Sequence, residues 1–188
     1  MRANDERAFV ALYRRHQGAI YRFAYHMTGS AGSAEDITQE VFLTLIRPDS
    51  GFDPSRGTLS GYLFGIARKL ILRQLERTRH VVELDHLRPD LAVLALTDTV
   101  NPMVDLLRRE GIEQLRAAVS SLPKRYREVV ALCDLEEMDY VDVAAALDCP
   151  VGTVRSRLHR ARALLLEKLS QKREPSPVRA LKLVRSLI

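Results

Sequence analysis

Arg155, Arg157, Arg160 and Arg162 crowd one short stretch, with Ser156 and His159 among them and Thr153 just before. A guanidinium can bridge O6 and N7 of a guanine, which discriminates between bases by about 1–3 kcal/mol. A hydroxyl and free backbone amides at a helix start suit a phosphate instead. The chemistry on offer is therefore recognition of a nucleic acid, not bond making. Val154, Leu158, Ala161 and Leu165 recur at three- and four-residue steps through the same stretch, so it reads as a helix with one buried face. Of Arg155, Arg157, His159 and Arg160, one or two are expected to read bases while the others position the helix. Arg162 contacts a phosphate or is solvated. The plainer alternative is an amphipathic helix whose arginines only meet water.

What precedes this helix favours DNA. Asp139 can cap a short helix with Val143, Ala144 and Leu147 on its apolar face, and Pro150 suits the first turn of the next helix. A short helix, a tight turn and a basic helix form the helix-turn-helix that docks in a major groove. Charge is distributed to match. Residues 1–80 carry 12 Lys and Arg against 8 Asp and Glu, and residues 150–188 carry 10 against 2. The stretch between them, residues 81–149, is acidic, with 7 against 14. Two basic blocks separated by an acidic one suggest two separate nucleic-acid contacts.

Catalysis finds little support. His16, His26, His80, His86 and His159 lie apart, without metal-ligand spacing, and no glycine-rich phosphate loop or nucleophile elbow occurs. Cys133 and Cys149 form no CxxC pair and read as small buried residues in a reducing compartment. No metal or cofactor is expected. The start, MRANDERAF, lacks a charged-then-apolar signal region, and no run approaches the ~18 apolar residues of a membrane span. A cytoplasmic location is expected.

Helical periodicity dominates the 188 residues, of which 46% are hydrophobic. Phe9, Leu12, Tyr13, His16, Ile20, Phe23, Ala24 and Met27 trace a first helix that Gly29 ends. Ser33 is read as the start of a second, with Asp36 completing a variant capping box and Ile37, Val41, Phe42 and Leu45 facing inward. Pro48 to Gly57 is a loop dense in turn formers. A third helix from about Thr58 to Arg79 turns Leu63, Ala67, Leu70 and Ile71 inward and Lys69, Arg73, Arg77 and His80 outward. Residues 81–101 lose this regularity and read as a flexible linker, though Leu91 to Leu96 can dock on a partner. The pattern resumes with Ile112, Leu115, Val119 and Leu122, and a further helix from Pro123 carries Tyr126, Val129, Val130 and Cys133 inward. The expected fold is all-α, with two small helical domains, residues 1–80 and 102–170, the second holding the helix-turn-helix. Residues 171–188 form a tail in which Val178, Leu181, Val184 and Ile188 fall on one face or simply fray.

Four stretches, in order, resemble bacterial RNA polymerase sigma factors of the extracytoplasmic-function (ECF) branch of the sigma-70 family. AEDITQEVFLTL resembles the helix that binds the polymerase clamp, and FDPSRGTLSGYLFGIARKL the loop and helix that open the −10 promoter element. SLPKRYREVVAL resembles the start of the second domain, and DYVDVAAALDCPVGTVRSRLHRAR its −35-reading helix-turn-helix. The resemblance implies that Asp36, Gln39 and Glu40, which share one helix face, pair with arginines of core RNA polymerase. From spacing alone, a solvated acidic face serves equally well. It implies that Asp53 to Gly57, including Arg56, form a pocket for a flipped-out base. Single-stranded DNA also needs cations and stacking surfaces; Lys69, Arg73 and Arg77 supply the first, Tyr62 the second. Phe64 packs in a core, and Phe52 can do either. Tyr62 stands where the family often has Trp, and Lys69 where many members have Asn. Thr153, Arg155, Ser156, Arg157, His159 and Arg160 then meet the −35 element. An anti-sigma factor is implied as a further partner. The competing reading is a stand-alone helix-turn-helix regulator that binds duplex DNA as a dimer; the acidic helix and the −10-like segment argue against it.

Overall fold

The computed structural model describes residues 3–47, 51–81 and 102–173. Residues 82–101 of the expected linker, and the tail from residue 174 with Val178, Leu181, Val184 and Ile188, lie outside the described residues. All elements among the described residues are helical. The first half is a three-helix unit of α1 (Ala3–Thr28), α2 (Ala31–Ile46) and α3 (Leu59–Val81). The second half runs α4 (Pro102–Ser120), α5 (Lys124–Val130), α6 (Tyr140–Leu147) and α7 (Val151–Arg173). No helix among the described residues is long and apolar enough to cross a membrane.

Helix α1 ends as its composition requires. Gly29 takes φ 71°, and its N–H donates to the Tyr25 carbonyl at 2.8 Å, closing the helix in the left-handed conformation that glycine tolerates. The start of α2 differs from expectation. Ser30, not Ser33, is the cap: its side chain accepts from the Ser33 N–H at 3.3 Å, and the helix begins at Ala31. The run Gly29-Ser30-Ala31-Gly32 looks like a loop by propensity, but a capped N–H outweighs one exposed glycine in a first turn. Ile37, Val41 and Phe42 are buried against α1, where Phe42 meets Tyr13 at 4.7 Å and the edge of Phe9 at 6.3 Å. Leu63, Ala67 and Ile71 of α3 complete this core, and Phe64 meets the edge of Phe23 at 5.6 Å. Phe64 is therefore a packing residue. Leu70, expected inward, is only partly buried.

In the second half α5 continues into a π-helical turn, Ala131–Leu135. The turn's extra residue shifts the register, so Cys133 is half-buried while Val129, Val130, Ala131 and Leu132 are sealed. Burial pushes the Cys133 thiol up to about 11, which leaves it a packing residue without thiolate reactivity. Ile112 and Leu115 are exposed; Val119 and Leu122 carry the packing of α4. Between α6 and α7 the chain turns through Asp148, at φ 50°, whose N–H and that of Cys149 donate back to Ala145 and Ala144. Asp139 occupies the cap position of α6 without a side-chain cap hydrogen bond, and Pro150 sits one residue before α7, its carbonyl accepting from Thr153. Val154, Leu158, Ala161 and Leu165 all lie in the core, as their spacing predicts. Helix α7 is described from Val151 to Arg173.

The two helical halves also pack against one another. Helix α6 lies along α3, and one hydrophobic core runs through both halves. His26, at the end of α1, is half-buried there near Arg22, Arg116 and Arg127; desolvation first, then these cations, lowers its pKa below 6.5. A histidine kept neutral in the folded state contributes stability that is present above its unfolded pKa and lost as pH falls below about 6.5. His16 shifts the same way through burial and Arg15, whereas burial raises Glu136, which opposes both as pH falls. Comparison with His26→Gln isolates one contribution. Between pH 7.5 and 5.5, urea unfolding should show the native chain losing more stability than the variant. Equal losses would mean that His26 carries no pH dependence.

Candidate nucleic-acid interface

Helix α7 presents Arg155, Ser156, His159 and Arg160 to solvent, with Thr153 and Arg157 half-buried at the edge of the same face. Ser156 is turned back on its own helix, its hydroxyl donating to the Thr153 carbonyl at 3.0 Å. Arg155 lies over the Tyr140 ring at 5.9 Å, which ties it to α6. Arg160 stands beside the Tyr126 hydroxyl and, with Arg125 assisting, holds that phenol below its usual pKa. Arg125 also lies over the Tyr126 ring at 4.8 Å. These aromatic supports limit where Arg155 and Arg160 can point. Arg162 is exposed, and its guanidinium donates twice to Asp134, at 2.5 and 3.1 Å, which fastens α7 to the π-helical turn.

A second set of residues surrounds the start of α3. Asp53 caps a short 3-10 turn, Pro54–Arg56, accepting from the Ser55 amide at 2.9 Å and the Ser55 hydroxyl at 2.8 Å. Gly57 follows at φ 150°, a conformation open to glycine and strained for other residues. Thr58 caps α3 by accepting from the Gly61 amide at 3.1 Å. The ordered loop brings Phe52 and Tyr62 together, their ring centroids 5.4 Å apart and tilted by 48°. Phe52 thus belongs to the site and not to the core. Both rings line a cleft of about 430 Å³ with Asp53, Gly57 and Lys69. The side chain of Arg56 lies outside the described residues.

Arg73 and Arg77 continue the exposed face of α3 away from Lys69. They line a groove between α2 and α3 together with Asp36 and Glu40. Glu40 also accepts from Arg47 at 3.1 Å on the exposed surface. Gln39 is exposed but is not among the residues lining this groove. The acidic and basic sets expected to serve different partners are therefore contiguous. Among the cleft residues that sequence reasoning did not single out are Ala145, Ala146 and Asp148 from the far half of the chain. No local signal marks them, since the two halves meet only in the folded chain. Among the described residues, no three His, Cys, Asp or Glu side chains group to hold a metal.

Comparison with known proteins places this arrangement. Residues 12–81 match the family model of sigma-70 region 2, and residues 112–165 that of sigma-70 region 4. The ECF RNA polymerase sigma factor SigE of Mycolicibacterium smegmatis is 36% identical over 160 residues, which cover 85% of this chain and 61% of SigE. SigC of Mycobacterium tuberculosis, also an ECF RNA polymerase sigma factor, is 33% identical over 166 residues, 85% of this chain and 82% of SigC. SigW of Bacillus subtilis is 28% identical over 90% of this chain and 92% of its own length. Among solved structures, the sigma factor RpoE of Bartonella quintana, in complex with the anti-sigma factor NepR, shares the fold. Its TM-score is 0.69 at 24% identity, covering 92% of this chain and all of that one. With both sigma-70 regions present in order and SigC covered over most of its length, the chain belongs to the ECF family of RNA polymerase sigma factors.

Proposed function

We propose that the chain binds core RNA polymerase, reads the −35 and −10 elements of a promoter and promotes melting of the promoter DNA, performing no covalent chemistry itself. Residues 1–80 hold the polymerase and the −10 element, residues 102–170 the −35 element, and residues 81–101 link them. Asp36, Gln39 and Glu40 pair with basic residues of the polymerase. Phe52 and Tyr62 receive unstacked bases, Asp53 and Arg56 shape the pocket, and Lys69, Arg73 and Arg77 follow the phosphates. On α7, Thr153 and Ser156 meet phosphate while Arg155, Arg157, His159 and Arg160 reach the major groove. Energy from binding unstacked bases shifts the duplex toward its open form, as a ligand shifts any equilibrium toward the state it prefers. The protein works in the cytoplasm, and an anti-sigma factor holds it inactive by covering the polymerase or DNA faces.

One observation supports this reading above the rest. A paired aromatic cleft and a row of exposed cations lie along α3, while a separate basic helix, α7, follows the short helix α6 across a tight turn. A duplex-only regulator has no use for the first. Added to core polymerase, the purified chain should direct transcripts from specific promoters, and sequencing the DNA fragments retained by the holoenzyme should reveal two spaced elements. Operator binding without such transcripts would support the regulator instead.

Arg157→Ala should weaken −35 duplex binding by about 1–3 kcal/mol, the worth of one good arginine contact to a base, with core affinity unchanged. Gel-shift titration against a −35 duplex, run beside polymerase pull-down, measures both. Equal loss in the two assays would mean that the second half had unfolded.

A further inference from the structure

The arginines of the second half divide by what holds them. Arg162 is paired with Asp134, and Arg116 lies 3.9 Å from Glu113. Arg127 is half-buried and donates to the carbonyls of Met27 and Leu122. Arg155, Arg157 and Arg160 meet no carboxylate among the described residues, which leaves their charge for water or an outside anion. Arg125, on α5, falls in this second group. It is exposed, and among the described residues it too has no acidic partner.

Arg125 is also held in place. Its guanidinium lies over the Tyr126 ring at 4.8 Å, and Arg160 of α7 stands beside the hydroxyl of the same ring. Tyr126 is 8% exposed and packs in the core, so the ring cannot swing away with either cation. Two guanidiniums from two helices are thus fixed a phenol ring apart. Like charges this close repel one another, and no carboxylate nearby relieves them. A polyanion would. The major groove is about 12 Å wide, so a cation one ring's width from an arginine in the groove falls at its phosphate rim.

We propose that Arg125 is a further DNA-binding residue, contacting a backbone phosphate beside the −35 element, and that Tyr126 positions Arg125 and Arg160 relative to one another. This rests on the −35 reading of α7 and carries the contact surface onto α5. The plainer reading is a solvated arginine whose stem shields the Tyr126 ring from water. That reading needs the stem alone, whereas a phosphate contact needs the charge. Each phosphate neutralised releases counterions and adds about 0.9 to the slope of log affinity against log salt.

Salt titration of the holoenzyme, formed from the full chain and core polymerase, separates the two. The probes are a promoter duplex that the holoenzyme retains and the same duplex with its −35 element scrambled. Arg125→Gln should lower the salt slope by about 0.9 on both duplexes. It should weaken both by one common factor, severalfold at low salt, and leave the preference between them as it was. Arg125→Lys, which keeps the charge, should keep the slope. Tyr126→Phe keeps the ring under Arg125 and removes the hydroxyl beside Arg160. Its slope should stay native while the preference for the intact −35 duplex falls severalfold. In an Arg160→Ala background the same change should cost nothing further, because Tyr126 acts through Arg160. Urea midpoints of the single variants should match that of the native chain. An unchanged slope for Arg125→Gln would overturn the phosphate contact, and so would a slope that lysine fails to keep. A further loss of preference from Tyr126→Phe in the Arg160→Ala background would overturn the positioning role. If the native holoenzyme prefers neither duplex, the −35 reading itself fails, while the slope of Arg125→Gln still reports the phosphate contact.

Discussion

Replacing Leu158 by Ala should destabilise the second half of the chain by about 2–5 kcal/mol and abolish −35 recognition at physiological temperature. Leu158 is 2% exposed at the centre of the buried stripe of α7, between Val154 and Ala161. Removing its branched end leaves a cavity that neither neighbour can fill, because Ala161 is too short and Val154 is fixed at its branched Cβ. Set against a domain stability of only about 5–15 kcal/mol, the loss is large. The side chain shortened is none of those assigned to DNA, since Leu158 is buried while Arg155 and Arg160 are exposed. The expected signature is therefore a lower urea midpoint together with lost duplex binding that a stabilising osmolyte partly restores. Arg157→Ala should show the opposite pattern, with duplex binding lost and the urea midpoint kept. A Leu158→Ala chain that keeps its midpoint and its affinity would show that α7 does not depend on the apolar stripe.

That stripe was plain in the sequence because helical spacing is a local property. Val154, Leu158, Ala161 and Leu165 need only the pitch of a helix to be grouped, and all four are buried. The same holds for Ile37, Val41 and Phe42 on α2. Shorter-range chemistry was harder to place. Ser30 and Ser33 are both plausible caps, and only the hydrogen bond from the Ser33 amide to the Ser30 hydroxyl decides between them. The π-helical turn at Ala131–Leu135 breaks the 3.6-residue period by one residue, so a fixed period carries Cys133 too far inward. The seam between the halves left the least trace. Arg68 and Glu128 are 60 residues apart, and Arg22 and Glu136 are 114 apart. One hint existed in Gly61 and Gly65, a pair of glycines four residues apart on an otherwise good helix, where each costs about 1 kcal/mol relative to alanine unless a close neighbour needs the space.

The arrangement on α2 and α3 has a further consequence for how the partners combine. Asp36 and Glu40 share a groove with Arg73 and Arg77, so the acids assigned to polymerase partly screen the cations assigned to DNA. When basic residues of a polymerase engage the acids, that internal neutralisation is withdrawn and the arginines present a fuller positive field to the strand. If the proposed roles hold, polymerase binding and strand binding favour one another through a shared electrostatic groove. The coupling has to be reciprocal, so single-stranded promoter DNA should tighten the hold on polymerase by the same factor.

Tyr62→Ala should cost the holoenzyme about 1–3 kcal/mol in binding the melted −10 strand, the worth of one base stacked on an aromatic ring. Converted to affinity, that is roughly a fivefold to more than hundredfold loss. Tyr62 is the right position for this test because its ring packs beside Phe52 in the cleft lining, apart from the Phe64–Phe23 contact of the core. Its removal should therefore leave the folding transition unchanged within about 0.5 kcal/mol. Duplex −35 binding, which the proposal assigns to α7, should also be unaffected, and so should assembly with polymerase. Tyr62→Phe, which keeps the stacking face, should retain most of the affinity; Tyr62→Leu, equally apolar without a π face, should not. Permanganate footprinting of the holoenzyme on a promoter fragment reads the result directly, as reduced reactivity of unpaired thymines in the −10 region. If Tyr62→Ala opens the promoter as fully as the native chain, the cleft between Phe52 and Tyr62 does not hold a base.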